Sequence, residues 1–408
     1  MVMRILVISN LYPPYYVGGY ELGCWDVVEA LRARGHKVKV LTSTYGLKKP
    51  QSDGEVYRWL EADINWKSQK FAKYVVKLLS KEMVNQRAFK RFIGFFKPDL
   101  IYVWNLTRIS VSIAFLAQRL GFSVCYFVSD KWLSRWESDS WYSLWNHRPR
   151  RLIGWLGKMV FYPFLNAAGM IPLGSLDLRY VQFASHYLKQ VALQAGKPVA
   201  NAKVIHWGVN LDQFPYKTVV HNPKRLLYVG QIVPHKGVHT AIEAMRVLIK
   251  EYGCSSVKLT IVGGSLLPDY MSNMRHLVYS YGLQNNVHFT GFVPRERLPQ
   301  IYQEHDILLF PSVWDEPFAI TLLEAMSCGL AVVGTATGGS SEILQHEVNA
   351  LVFPKEDART CASHILQLLN DLELFERIRK NGRRTVEERF RFEDMMDRIE
   401  SSLYEVVA

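Results

Sequence analysis

Residues 305–329, His305-Asp-Ile-Leu-Leu-Phe-Pro-Ser-Val-Trp-Asp-Glu-Pro-Phe-Ala-Ile-Thr-Leu-Leu-Glu-Ala-Met-Ser-Cys-Gly329, constrain the fold more than any other stretch of the chain. The short apolar run Ile307–Phe310 has the pattern of a strand buried on both faces, as in a parallel sheet. Pro311 and the Trp314-Asp315-Glu316 segment break it. Pro317 is then placed for the first turn of a helix and Gly329 for its end. A helix start offers unpaired N–H groups and partial positive charge, so it suits an anion. Glu316 lies at that mouth, and Glu324 falls on the same helix side about two turns on. An anion seat beside two hydroxyl acceptors fits a sugar diphosphate. The same spacing also fits an acidic helix cap followed by a solvated glutamate.

The rest of the chain alternates strand-like and helix-like segments, which predicts parallel sheets with helices on both faces. Arg4–Ser9 reads as the first strand, not as a leader peptide. Gly18 and Gly19 follow it and open a helix from about Tyr20 to Arg34, a place where backbone N–H groups can approach a phosphate or simply make a tight turn. Further strands are expected at 38–41, 100–104, 123–128, 203–205, 225–232, 257–265 and 286–293. Helices are expected at 66–97, 175–195, 238–250, 358–369, 371–390 and 391–407. With 408 residues, 49% of them hydrophobic, the chain can fill two cores. No uncharged run approaches the ~20 residues of a membrane span.

Five scattered cysteines, Cys24, Cys125, Cys254, Cys328 and Cys361, show no metal spacing. They read as reduced core residues of a cytoplasmic protein. The net charge of +12 is uneven: 29 Lys and Arg stand against 13 Asp and Glu in the first 210 residues, and 20 against 24 in the rest. The basic half calls for an acidic partner. Residues 66–97 hold nine cations and one acid, interleaved with Leu78, Phe89, Phe92 and Phe96 among other apolar positions. This pattern fits an amphipathic element at an anionic membrane surface, or an ordinary domain helix with a basic outer face. The aromatic and cationic mixture over 131–164 suits a lipid boundary, stacking on acceptor sugars, or a packed helical lid. Nucleic acid is not expected, because no helix-turn-helix, RRM, OB or zinc pattern accompanies the charge.

Glu316-Pro-Phe-Ala-Ile-Thr-Leu-Leu-Glu324 resembles the E-P-F-G-x-x-x-x-E signature of retaining family-4 glycosyltransferases of the GT-B fold, and Gly329–Glu342 continues like that family. The resemblance implies two Rossmann-like domains facing across a cleft. Pro234-His-Lys-Gly237 resembles the family's G-R-L-x-x-x-K-G element, with Gln231 in place of the usual arginine. His206–Phe214 resembles its interdomain hinge, which puts the boundaries at 1–208 for an acceptor-binding domain and 209–388 for a nucleotide-sugar-binding domain. Residues 389–408 would then form a helix returning to the first domain.

The implied donor residues are Gly18, Gly19, Gln231, Lys236, Val293, Glu316, Phe318, Ala319, Ile320, Thr321 and Glu324. Lys236 would face the diphosphate, Glu316 the sugar hydroxyls, Glu324 the ribose and the Val293 turn the base. Ala319 replaces a family glycine, which would tighten the backbone near the sugar. Ser129 and Asp130 fall where the family has H-D, on the acceptor side. Ser129 can bond a hydroxyl and Asp130 can orient or deprotonate the acceptor, or simply cap the next turn.

Catalysis is expected from Glu316, Lys236 and Asp130. Neither a D-x-D motif nor a His/Asp cluster with metal spacing occurs, so no metal and no cofactor are expected. The implied activity is transfer of a hexosyl group, glucose first, from a UDP-sugar to a saccharide or a lipid-linked (polyprenyl) saccharide. The expected location is cytoplasmic, peripheral at the inner membrane face. A non-catalytic sugar-nucleotide-binding module and a UDP-sugar epimerase of the same fold are the alternatives.

Overall fold

The computed structural model describes residues 1–62, 71–146, 161–220 and 222–408. The sequence readings on 63–70 and 147–160 lie outside these. The chain divides into two compact units. The first comprises Met1–Ala184, Leu188–Ile205 and Met396–Ala408, and the second Ser185–Tyr187 and His206–Met395.

The first unit is built on an eight-stranded sheet. Its strands are β1 (Arg4–Ser9), β2 (Lys37–Ser43), β3 (Gln51–Asp53), β4 (Val56–Leu60), β5 (Leu100–Asn105), β6 (Val124–Val128), β7 (Val181–Phe183) and β8 (Lys203–Val204), in the spatial order β3-β4-β2-β1-β5-β6-β7-β8. β1, β5 and β6 are almost wholly buried, so they carry unbroken apolar runs. Helices α1 (Gly19–Ala33), α2 (Phe71–Phe96), α3 (Ser112–Arg119), α4 (Ser140–Asn146) and α5 (His186–Gln194) connect these strands.

The sheet is not uniformly parallel: β3 pairs antiparallel with β4 at one edge. β3 is three exposed polar residues with no strand signal of their own, and the apolar and aromatic β4, Val56–Leu60, was not singled out in the sequence. The helix expected over 175–195 is also corrected. Residues 181–183 form β7, and only His186–Gln194 is helical. Val181, Gln182 and Phe183 are all buried, and pairing with β6 overrides their helical spacing.

On α2, Leu78, Phe89, Phe92 and Phe96 are buried, so the apolar face that the sequence offered to a lipid surface is used in the core of the unit. Lys73, Lys77, Arg87 and Arg91 remain exposed and share one side of the helix. The one acid, Glu82, is fully buried and accepts a hydrogen bond from Ser112 Oγ. Burial pushes its carboxyl up to about 8, against the pull of Lys81. An acid with a raised folded pKa contributes stability that is complete below its unfolded value and is lost as pH rises through the folded one. Glu82→Gln is therefore expected to match the wild type near pH 5 and to exceed its Tm at pH 9. Parallel Tm curves across that window would contradict the assignment.

The second unit has a six-stranded parallel sheet in the order β11-β10-β9-β12-β13-β14. These strands are β9 (Arg225–Val229), β10 (Lys258–Val262), β11 (Val287–Gly291), β12 (Ile307–Phe310), β13 (Ala331–Gly334) and β14 (Leu351–Val352). Around them lie α6 (Val238–Arg246), α7 (Pro268–Ser280), α8 (Leu298–Glu304), α9 (Ile320–Ser327), α10 (Ala358–Asn370) and α11 (Leu372–Arg389), followed by α12 (Phe392–Val407). Two buried charges fix this frame. Asp306, just before β12, pairs with Lys217 at 2.7 Å and Arg225 at 2.8 Å. Arg379 on α11 donates to the carbonyl of Gly329 at 2.8 Å, beyond the end of α9.

Helix α9 begins at Ile320, three residues later than the sequence suggests. Pro317 stands in the preceding turn, because Glu316 and Gly338 make a bridge that holds this segment extended. Among the described residues, no helix is long and apolar enough to cross a membrane. In the first unit, α12 residues Asp397 and Glu400 each meet Arg34 at 2.7 Å.

Candidate functional site

In the second unit, the loops that follow β9, β12 and β13 leave the carboxyl ends of three adjacent parallel strands. Ligands of open α/β sheets gather at such an edge. The loop after β9 delivers Lys236, and the loop after β12 delivers Glu316. Lys236 Nζ lies 2.9 Å from both carboxylate oxygens of Glu316. Glu316 is 2% exposed, while the Lys236 side chain keeps 27% of its surface. The cation therefore reaches solvent and the acid does not.

Backbone contacts register these loops. Val313 N donates to His235 O at 3.0 Å, and Thr335 Oγ1 donates to Ser312 O at 2.6 Å. Gly339 N donates to Glu316 O at 2.6 Å. A Cβ on Gly339 would sit 2.1 Å from the carbonyl oxygen of Pro317, so only glycine permits that approach. Ser312, a residue the sequence did not single out, is buried and donates to Glu316 Oε1 at 2.6 Å. It lies four residues from Glu316, with nothing in its own pattern to mark it. Trp314 flanks the pair, with its ring 5.6 Å from Lys236 Nζ and 4.8 Å from His235. The His235 imidazole is held below its usual pKa by burial and by Lys236.

Phe318 and Ala319 are buried where α9 begins, and Ile320 and Thr321 form its first turn. No side chain caps that end of the helix. The first-turn amides therefore keep their partial positive charge for an anion. Glu324 is buried, and its Oε2 accepts from the hydroxyl of Tyr302 at 2.8 Å. Gln231 follows β9, where its carbonyl accepts from Tyr228 Oη at 2.9 Å. Val293 lies half-buried after β11.

In the first unit, Gly18, Gly19, Ser129 and Asp130 follow the carboxyl ends of β1 and β6. The Gly18 amide, assigned from sequence to a phosphate, is already held by Glu21 Oε2 at 3.0 Å; Glu21 Oε1 accepts from Val17 N at 3.3 Å. Burial raises the Glu21 carboxyl, opposed by these amides. An added Cβ at Gly19 would meet nothing within 4 Å, so the space above that residue is open. Asp130 Oδ1 accepts from Trp132 N and Oδ2 from Asn105 Nδ2, both at 2.8 Å. It thus holds the turn before residues 133–138 in place. Burial raises its pKa, with those two donors opposing. Ser129 beside it is half-buried.

A second cluster, made wholly of residues of the second unit, was not visible in the sequence. His206 Nε2 lies 2.7 Å from Glu342 Oε2, and ligand atoms of His186, His206 and Glu342 all fall within 4.8 Å of one another. These residues are 20 and 136 positions apart, so no spacing rule finds them. Burial would raise the Glu342 carboxyl, but hydrogen bonds from His206 and from the amides of Tyr187 and His186 outweigh it and hold the group below its usual range.

Two α/β units with largely parallel sheets are the architecture of the GT-B fold, which glycosyltransferases adopt. Residues 212–385 match the family described as glycosyl transferases group 1, and residues 18–162 match a glycosyl transferase 4-like domain. The chain belongs to these group 1 glycosyltransferases, of the family-4 type with the GT-B fold.

An uncharacterized glycosyltransferase of Methanocaldococcus jannaschii is 26% identical over 96% of both chains. The amylovoran biosynthesis glycosyltransferase AmsK of Erwinia amylovora is 31% identical over 42% of this chain and 43% of its own. Among solved structures, Anabaena HepE in complex with UDP and glucose has a TM-score of 0.69 at 20% identity, covering 99% of this chain and 100% of that one. Sucrose-phosphate synthase from Thermosynechococcus elongatus has a TM-score of 0.71 at 22% identity, covering 99% and 98%.

Proposed function

We propose that this chain moves a hexosyl group, glucose first, from a UDP-sugar to a saccharide or lipid-linked saccharide acceptor with retention of configuration. One observation carries the reading: the half-exposed Lys236 cation rests on the buried Glu316 carboxylate beside the uncapped start of α9. The similar fold of HepE holds UDP and glucose, which supports the same donor here.

A lysine ammonium has three donors, and Glu316 engages it through two oxygens. The remaining capacity faces outward to a diphosphate. As the sugar–phosphate bond breaks, negative charge collects on the leaving diphosphate. Lys236 and the first amides of α9 would stabilise that charge without a metal ion. Glu316, fixed by Ser312, would accept hydrogen bonds from the sugar hydroxyls once Lys236 turns to the diphosphate and uncovers its carboxylate. Glu324, which the family resemblance assigns to the ribose, would bond the ribose hydroxyls from its place beside Tyr302. Gln231 can donate a hydrogen bond but supplies no charge, so Lys236 carries more of the load. Phe318, Ala319 and the Val293 turn would shape the sugar and base sites.

On the acceptor side, Ser129 and Asp130 would position the attacking hydroxyl. Attack from the face the diphosphate leaves passes the acceptor proton to the departing phosphate. Asp130 would then orient the hydroxyl more than remove its proton.

The test is UDP release from UDP-glucose. Release that depends on added acceptor, with a Tm rise on UDP-glucose, is expected. Equal inertness toward all nucleotide sugars in both assays would reject the reading. The exposed Lys73, Lys77, Arg87 and Arg91 support contact with an anionic membrane surface. Binding to phosphatidylserine vesicles is expected to weaken as salt rises, and no binding at low salt would remove this partner.

A further inference from the structure

We propose that His186, His206 and Glu342 bind one divalent transition-metal ion of the zinc class. Two imidazoles and a carboxylate are a donor set that such ions favour, and magnesium or calcium would need more oxygen ligands. The ligand atoms already lie within 4.8 Å of one another. An ion about 2.1 Å from each is therefore reached by small side-chain shifts.

The groups around the three residues hold them for this task. Glu342 Oε2 accepts from His186 N at 3.0 Å and Oε1 from Tyr187 N at 2.8 Å, while Arg389 holds the Glu342 carbonyl at 3.0 Å. The His206 ring is stacked on Phe318 at 5.5 Å and met edge-on by Phe390 at 5.6 Å. The His186 ring lies 5.6 Å from it. Orienting contacts of this kind set ligand geometry at metal sites. His186 is exposed and the other two are half-buried, so an ion can enter from solvent and keep water in its open positions. The hydrogen now shared between His206 Nε2 and Glu342 must leave Nε2, moving to Nδ1 or to solvent, before that nitrogen can ligate.

The consequence is structural. Gly339, three residues before Glu342, clasps the carbonyl of Glu316. Ser185, next to His186, donates to Pro317 O at 2.7 Å. An ion here would join the segments behind the Glu316–Ala319 turn and stiffen it without touching the reacting groups. Metal binding does not depend on the donor assignment above, so the two can fail separately.

The experiment titrates cobalt(II) and zinc(II) into the full chain and follows cobalt d–d absorption, calorimetry and Tm. One ion per chain is expected, with affinity falling in acid because the ligands must be deprotonated. His186→Ala changes an exposed side chain and leaves the fold intact. It is expected to weaken binding at least about tenfold and to abolish the Tm rise, and Glu342→Gln is expected to do the same. Binding that is equal in wild type and His186→Ala would assign the ion elsewhere and overturn the proposal. So would the absence of saturable binding at micromolar metal.

Discussion

Glu316→Gln is expected to give a folded protein whose turnover falls by about 10²–10³, the range seen when one preorganised polar group is lost from a charge-stabilising site. The amide keeps the shape of the carboxylate and can still accept from Ser312. It loses the charge that fixes Lys236 from 2.9 Å. The freed ammonium is already 27% exposed, so water relieves it and the stability cost stays small.

The reverse substitution behaves differently. Lys236→Met strands a carboxylate whose side chain is 3% exposed, and removing one partner of a buried pair costs about 3–5 kcal/mol. Turnover and Tm therefore separate the two variants: Glu316→Gln loses rate with little loss of Tm, and Lys236→Met loses both. Turnover within twofold of wild type in Glu316→Gln would sink the site assignment.

Gly237→Ala is expected to cost more than about 3 kcal/mol and to abolish nucleotide-sugar binding. Gly237 has φ of +71°, and a Cβ there would lie 1.8 Å from the carbonyl oxygen of Pro311. The left-handed conformation alone costs about 1–2 kcal/mol for a residue with a side chain. The overlap adds to it, because the atom met is backbone at the end of β12 and cannot swing aside. Relief requires the Pro234–Lys236 turn to part from Pro311–Val313, which breaks the Val313–His235 hydrogen bond and carries Lys236 away from Glu316. A chemical denaturation curve and a thermal-shift titration with UDP-glucose check both effects. Unchanged stability would mean that the two loops are not interlocked.

Much of the second unit could be read from the chain. β9, β10 and β12 are apolar runs bounded by glycine or proline, and the lysine-bearing turn and the Glu316 loop have local signatures. The first unit was harder. β3 is short and polar at the sheet edge, and β7 carries Gln182 in a buried strand whose identity comes from pairing with β6. The amphipathic pattern of α2 fitted both a lipid face and a core face. Burial of Phe89, Phe92 and Phe96 decided it.

The sequence by itself determined the alternating α/β order, the glycosyltransferase resemblance and the residues of the donor loop, because each depends on neighbours along the chain. Only the tertiary structure decided which groups share a contact: Ser312 with Glu316, Glu21 with the Gly18 amide, and His186 and His206 with Glu342. Those contacts depend on strand order and loop registration, which bring together residues whose separation along the chain carries no periodic signal.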